Sequence, residues 1–279
     1  MPKSVIWSDT QRIRLQELSG YQYLDEKFVS DKEKNKAFQE YEKLLINTAK
    51  EKLTHLYKEK HKPDLCILTE KLANILTEAG FMQVVTPTII SKKMLKKMTI
   101  DEAHKLYSQV FWLDNKKCLR PMLAPNLYYI SKDLLRLCDK PLRLFEIGSC
   151  FRKESQGSTH LNEFTMINLV EWGLPEEERK EHLKKMADTI MQAAGIEDYA
   201  FESEDSVVYG DTADVVCNGI EVASGAMGPH YLDANWGIDS TWVGIGFGLE
   251  RLLMLKNNKK NVKSYSKSIT YIDGIRLNI

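Results

Sequence analysis

Three stretches of the chain carry side chains able to do chemistry. In Phe151-Arg152-Lys153-Glu154-Ser155 an arginine stands where a β-prone run meets a polar loop that also holds His160. In Gly244-Ile245-Gly246-Phe247-Gly248-Leu249-Glu250-Arg251, alternating glycines lead to an arginine in the first turn of a helix. Glu221 and Ser224 offer oxygen ligands near the end of a strand. Such groups hold and neutralise charge, and no nucleophile–base pair accompanies them. The glycines run G-x-G-x-G, unlike the dinucleotide fingerprint, and no Gly-Lys-Ser/Thr of a P-loop follows them. A glycine-rich strand means close backbone approach or a bend. Taken singly, Arg152 reads equally well as an ordinary surface arginine.

The whole chain sets limits on what these groups serve. At 279 residues with 43% hydrophobic content, it is long enough for a packed core and unlike a disordered chain. Lys+Arg and Asp+Glu both count 39, so composition makes no electrostatic case for nucleic acid, and any such contact must come from local basic patches. The five cysteines (Cys66, Cys118, Cys138, Cys150, Cys217) are scattered without a C-x-x-C pair. That spacing builds neither a zinc site nor a disulfide framework and fits reduced thiols in a cytosol. The first residues, MPKSVIWSDTQ, lack the apolar run of a signal peptide, and no segment approaches a membrane span. The expected location is cytoplasmic, with no membrane partner.

The elements that must position these groups fall into two regions, 1–62 and 63–279. In the first, Ser8-Asp9-Thr10 offers helix caps and Gly20 a stop. A Lys- and Glu-rich helical stretch follows from about Asp31 to Lys62, with an apolar stripe through Phe38, Tyr41, Leu44 and Leu45, ended by His61-Lys62-Pro63. In the second, Leu68, Leu72, Ile75 and Leu76 mark a helix face, Gly80 suits its end, and Phe81–Thr86 reads as a strand stopped by Pro87. Leu142–Arg152 and Glu163–Trp172 read as a long antiparallel hairpin. Val207-Val208-Tyr209 precedes a second hairpin, Thr212–Cys217 into Ile220–Ser224, turning at Asn218-Gly219 as a type I′ turn. A helix over 176–194, a strand from Trp242 to Phe247 and a helix from Leu249 complete an α+β pattern.

Together, F-R-x-E at a strand–loop junction and a distant G-x-G-x-G-L-E-R resemble motifs 2 and 3 of class II aminoacyl-tRNA synthetases. The helix, strand and Pro87 upstream fall where motif 1 belongs. LRPMLAPNLY (119–128), FEIGSCFRKES (145–155), EFTMINL (163–169), VYGDT (208–212) and GFGLERLL (246–253) look more closely like the pyrrolysyl-tRNA synthetase family. The similarity runs over most of 63–279, with an echo in TQRIRLQEL (10–18). The resemblance implies a class II catalytic fold, an antiparallel six-stranded sheet flanked by helices, preceded here by the N-terminal helical region. It also implies a homodimer formed through motif 1, ATP and Mg2+ as cofactors, and pyrrolysine and tRNA(Pyl) as partners. The likeness is to the free-standing catalytic proteins of bacteria and some archaea, for which a separate N-terminal-type tRNA-binding protein is a candidate partner. Within this chain the candidate tRNA contacts are the 1–62 region, including Arg12 and Arg14, and the lysines of 256–267; any one of these alone reads as solvated surface.

Residue by residue, the resemblance assigns catalysis to Arg152 and Arg251, with Arg152 at the α-phosphate. Glu154 lies near the adenine, Phe164 stacks on it with Arg251 on the other face, and His160 and Leu161 complete the ATP site. Glu221 and Ser224 match the metal ligands. They are three apart, which puts them on opposite faces of a regular strand, so joint binding requires a bulge, a bend or the strand's end. The amino-acid pocket takes Ala124, Leu127, Tyr128, Met166, Asn168, Val170, Tyr209, Trp242 and Gly244, with Tyr209 as a mobile lid. Strand alternation independently puts Phe164, Met166, Asn168, Val170 and Trp172 on one face. An amide at Asn168 can meet a side-chain amide of the substrate without burying a charge. Walls with no acidic anchor suit an acylated lysine better than free lysine. Ser131 and Val170 depart from the archaeal pattern, where leucine and often cysteine stand. Two alternatives stay open at this point: a class II enzyme for another amino acid such as phenylalanine or phosphoserine, and a non-catalytic paralogue binding tRNA or amino acid.

Overall fold

The structure is a computed structural model that describes residues 5–20, 26–153, 160–206 and 210–279. Helix boundaries follow local capping. Ser8 and Gln11 exchange hydrogen bonds in a capping box that opens α1 (Asp9–Ser19), and Gly20 closes it at φ 73°. Ser30 caps α2 (Asp31–Lys58), which ends four residues before the expected Lys62, and α3 (Asp64–Glu78) starts directly after Pro63. Short elements follow: β1 (Met82–Gln83), β2 (Ile89–Ser91), α4 (Lys92–Lys97) and β3 (Lys117–Leu119). Then come α5 (Ala124–Leu137), β4 (Leu142–Phe151), β5 (Glu163–Trp172), α6 (Arg179–Ala194), β6 (Ala200–Ser206), β7 (Gly210–Cys217) and β8 (Ile220–Gly228). The chain closes with β9 (Trp242–Gly248), α7 (Leu249–Lys256), β10 (Tyr271–Ile272) and β11 (Ile275–Arg276).

One seven-stranded sheet runs β1-β4-β5-β9-β8-β7-β6. Six of its strands, β4 to β6 in that order, are the expected antiparallel sheet, and β1 is added parallel to β4 at the edge. The expected Phe81–Thr86 strand is thus reduced to two residues. The β7–β8 turn has Asn218 at φ 52° and Gly219 at φ 73°, the two positive values a type I′ turn requires. The run Val207–Tyr209 lies outside the described residues.

Strand alternation divides the two sheet faces. Ile167, Leu169, Val243, Ile245 and Phe247 point to a core closed by Leu68, Leu72 and Leu76 of α3, by α6 and by α7. Fully burying each such side chain contributes about 1.5–3 kcal/mol, which fixes the register, because a one-residue slip would turn every one of them outward. The opposite face carries the cleft. A smaller cluster of Trp7, Leu15 and Phe28 holds the N-terminal helices together. They lean on the C-terminal hairpin through Arg14 to the Asn278 carbonyl and Arg276 to Glu17, while His61 Nε2 lies 2.6 Å from Asp273 Oδ2 beside the α2–α3 junction.

Candidate active site

The cleft, of about 600 Å³, is floored by β5 and β9. Opposite residues in an antiparallel pair share a face, so Asn168 lies beside Gly246, and Val170 beside Gly244. The glycines therefore serve close approach and not a bend. A Cβ on Gly246 would sit 2.6 Å from Met166 Cε and 3.2 Å from Asn168 Oδ1, filling the floor. Every residue expected at the ATP and amino-acid sites lines this one cleft except Glu154 and Tyr209, which lie outside the described residues.

At one end stand Arg152, Phe164, His160, Leu161 and Arg251. The Arg152 guanidinium lies 5.4 Å from the centroid of the Phe164 ring, and its Nε donates to the Pro121 carbonyl at 2.9 Å. Arg251 Nη1 donates to the Glu221 carbonyl at 2.9 Å, tying α7 to β8. The spacing problem of Glu221 and Ser224 is resolved by an irregularity in β8. Val216 faces Glu221 while Val215 faces Ala223, so Val222 is an extra residue. This bulge returns both oxygen donors to the cleft face, where both are exposed.

At the other end Tyr128, Trp172 and Trp242 pack edge-on or tilted, with centroids 5.4–5.9 Å apart, and Ala124, Leu127 and Val170 add aliphatic wall. Asn168 donates to the Leu169 carbonyl at 3.3 Å and faces the cleft between these groups. Ser131 is fully buried in α5 and does not line the cleft.

Five polar residues in or around the site were given no role by sequence reasoning. Asp233, 3% exposed, accepts from Tyr128 Oη at 2.9 Å on Oδ1, and on Oδ2 from Trp242 Nε1 at 2.9 Å and the His230 N–H at 2.7 Å. It fixes two walls of the aromatic end. Glu250 is buried and takes the Thr165 N–H on both oxygens; burial pushes its carboxyl up to about 7. Asp214, 5% exposed, lines the cleft beside Ser224. Outside the cleft wall, Arg120 pairs with Glu146 at 2.7 Å, both buried, and Thr86 donates twice to the same carboxylate. Arg120 also donates to the Ser149 carbonyl, so the pair joins the Thr86–Pro87 segment to β4, one residue from the Pro121 carbonyl that aims Arg152. A charged residue amid apolar strand neighbours, as Glu146 is in LFEIG, was the signal available, since such a charge needs a partner.

Other groups stay apart. Burial pushes the Cys118 and Cys150 thiols up to about 11 and about 12, well away from thiolate chemistry. Of the basic candidates for tRNA, Arg14 is bound to Glu42, Lys259 to the Ser19 carbonyl and Lys267 to Glu163. Among the described residues no helix is long and apolar enough to cross a membrane.

An antiparallel sheet presenting two arginines, a glycine floor and paired oxygen donors in one cleft defines the catalytic core of a class II aminoacyl-tRNA synthetase. Residues 53–241 match the family described as "Phenylalanyl tRNA synthetase beta chain CLM domain". Two solved structures of pyrrolysyl-tRNA synthetase from Desulfitobacterium hafniense are similar throughout. One has 53% identity and a TM-score of 0.88, with 98% of each chain covered; the other has 54% and 0.92, with 100% of each covered. The chain belongs to the pyrrolysyl-tRNA synthetases and is an aminoacyl-tRNA ligase. The serine--tRNA ligase of Rickettsia bellii is 27% identical over 150 residues, which are 48% of this chain and 35% of that enzyme, so the chain spans about a third of that curated relative's length.

Proposed function

We propose that this chain activates pyrrolysine with ATP and attaches it to tRNA(Pyl). The observation that carries the reading is the single cleft in which Arg152, Phe164 and Arg251 adjoin Asn168 and the aromatic end. The substrate carboxylate is ionised at neutral pH, so activation needs no general base. Its oxygen attacks the α-phosphorus, the bond to the bridging oxygen breaks, and pyrophosphate leaves with the electron pair. A terminal tRNA hydroxyl then attacks the acyl carbon, AMP leaves, and the hydroxyl proton passes to solvent. Arg152 and Arg251 neutralise charge developing on the phosphates, and the cleft aligns the reacting atoms. Phe164 offers the adenine platform, while Asn168 donates to the side-chain amide carbonyl of the substrate.

Glu221 and Ser224 suit a hard cation because the β8 bulge brings two oxygen donors to one face. They would hold Mg2+, which when bound supplies neutralising charge to the phosphates. A homodimer formed through the motif 1 segment is supported by exposed Met82, Val85 and Ile89 at the β1 edge, Val85 being 88% exposed. Arg152→Ala is expected to abolish ATP–pyrophosphate exchange while keeping the wild-type melt. A folded variant with full exchange would refute the role given to Arg152.

A further inference from the structure

Residues 92–117 hold seven lysines, no arginine and three acids, in a chain whose formal net charge is zero. The fold gathers these lysines on one surface. β2 runs directly into α4, the Lys92 N–H donates to the Lys116 carbonyl at 2.7 Å, and Ser91 pairs with Lys117. Lys92 therefore stands beside Lys116 and Lys117, and Lys96 lies one turn along the same side of α4. Half-buried Tyr107 and Trp112 adjoin them, with ring centroids 4.9 Å apart and Lys92 Nζ 5.3 Å and 5.7 Å from the two rings. The three acids are engaged close by: Asp101 with the Ala103 N–H, Glu102 with Lys92, and Asp114 with the Lys116 and Lys117 N–H groups. Lys93, Lys96, Lys105, Lys116 and Lys117 are exposed, and among the described residues no ion pair holds their ammonium groups. Like charges one helical turn apart or across a ladder repel, so this grouping costs stability until an anion lies on it.

The patch leads into the cleft. Tyr107 sits at the centre of the turn Lys105–Gln109, and His104, Lys105, Leu106 and Gln109 line the cleft. The Gln109 carbonyl takes the Lys153 N–H at 2.7 Å, which fixes this turn beside the end of β4 and Arg152. Cations for phosphates and aromatic faces for bases are the combination that holds single-stranded nucleic acid. We propose that the surface formed by α4, residues 105–112 and β3 seats the unpaired 3′ end of the tRNA on its way to the cleft. The lysines neutralise its phosphates, and Tyr107 and Trp112 offer rings to its bases. The inference rests on the tRNA reading of the proposed function. It gives tRNA a surface outside the 1–62 and 256–267 candidates, of which Arg14, Lys259 and Lys267 are held by Glu42, the Ser19 carbonyl and Glu163.

The test compares wild type with a triple variant, Lys96→Gln, Lys116→Gln and Lys117→Gln, at three exposed side chains whose replacement is expected to leave the melt unchanged. Binding of intact tRNA(Pyl), and of the same tRNA trimmed of its unpaired 3′ nucleotides, is measured over a salt series, with pyrophosphate exchange measured separately without tRNA. The variant is expected to exchange like wild type and to bind intact tRNA about tenfold or more weakly. The slope of log K against log salt is expected to become shallower by about 2, from three lost contacts to a single strand. Trimmed tRNA is expected to bind both proteins alike. Equal affinity of the two proteins for intact tRNA would overturn the proposal. An equal loss with intact and trimmed tRNA would overturn it too, by putting another part of the tRNA on the patch. Wild type that binds both tRNAs equally well overturns it without recourse to a variant. Wild type that exchanges but neither binds nor charges tRNA(Pyl) overturns the tRNA reading as well.

Discussion

Asp233→Ala removes the carboxylate that ties Tyr128 and Trp242 together, and with it the hydrogen bonds it accepts from Tyr128 Oη, Trp242 Nε1 and the His230 N–H. Tyr128 and Trp242 are both buried, so each lost bond costs about 1–3 kcal/mol, whereas the half-buried His230 can turn to water. Relief from burying a charge offsets part of the loss, giving a net of about 3 kcal/mol. At about 2–4 °C per kcal/mol that is a fall in Tm of roughly 6–12 °C. Asp233→Asn separates geometry from charge. Both N–H donors converge on Oδ2, so an asparagine oxygen placed there keeps them, while its amide donates to Tyr128 Oη, which can accept. The expected cost is under about 1 kcal/mol. Thermal melts of the two variants read stability, and pyrophosphate exchange with amino acid and ATP varied separately reads the pocket. The alanine variant is expected to raise the amino-acid KM by about tenfold or more, as misplaced walls do, and to leave the ATP KM alone. An alanine variant that melts within about 2 °C of wild type, or an asparagine variant equally damaged, would refute the reasoning.

Glu250 gives a pH signature. Its folded carboxyl is pushed up to about 7, above the ordinary 4.5, so the folded chain holds the proton more tightly and stability falls as pH rises from about 4.5 to about 7. The drop amounts to about 3 kcal/mol from this group, and Glu250→Gln should flatten it in urea titrations across that range; superimposable profiles would remove Glu250 as the cause. The dimer proposed through the motif 1 segment predicts a wild-type dimer and a Val85→Glu monomer in sedimentation; a monomeric wild type would contradict the proposed dimer, and variant dimers of wild-type strength would contradict its interface.

Local rules made much of the fold legible. Period-two alternation over Phe164–Trp172 gave the cleft face of β5 correctly, because one side of that strand is committed to the helix-covered core. Asn218-Gly219 gave its hairpin, since its backbone requirement is met by two adjacent residues. Joint metal binding by Glu221 and Ser224, three residues apart, would require an irregularity, and β8 has one at Val222. What escaped depends on pairing across long stretches of chain. Asp233 meets Tyr128 from 105 residues away, and Glu146 meets Thr86 from 60. Nothing near Asp233 in sequence marks it as an acceptor for two aromatic donors. Asp214 lies beside Ser224 only through the β7–β8 ladder, a pairing that its own sequence neighbours do not mark. The parallel β1 edge was hidden for a different reason: only two of the β-prone residues before Pro87 find a ladder partner in β4.

The most direct test is ATP–pyrophosphate exchange by the purified chain with a panel of amino acids, pyrrolysine and an acylated lysine included. Exchange is expected with those two and with none of the standard twenty, because the pocket pairs an amide at Asn168 with aromatic and aliphatic walls. Exchange with a standard amino acid instead would keep the class II chemistry and contradict the substrate, and no exchange at all would contradict catalysis itself.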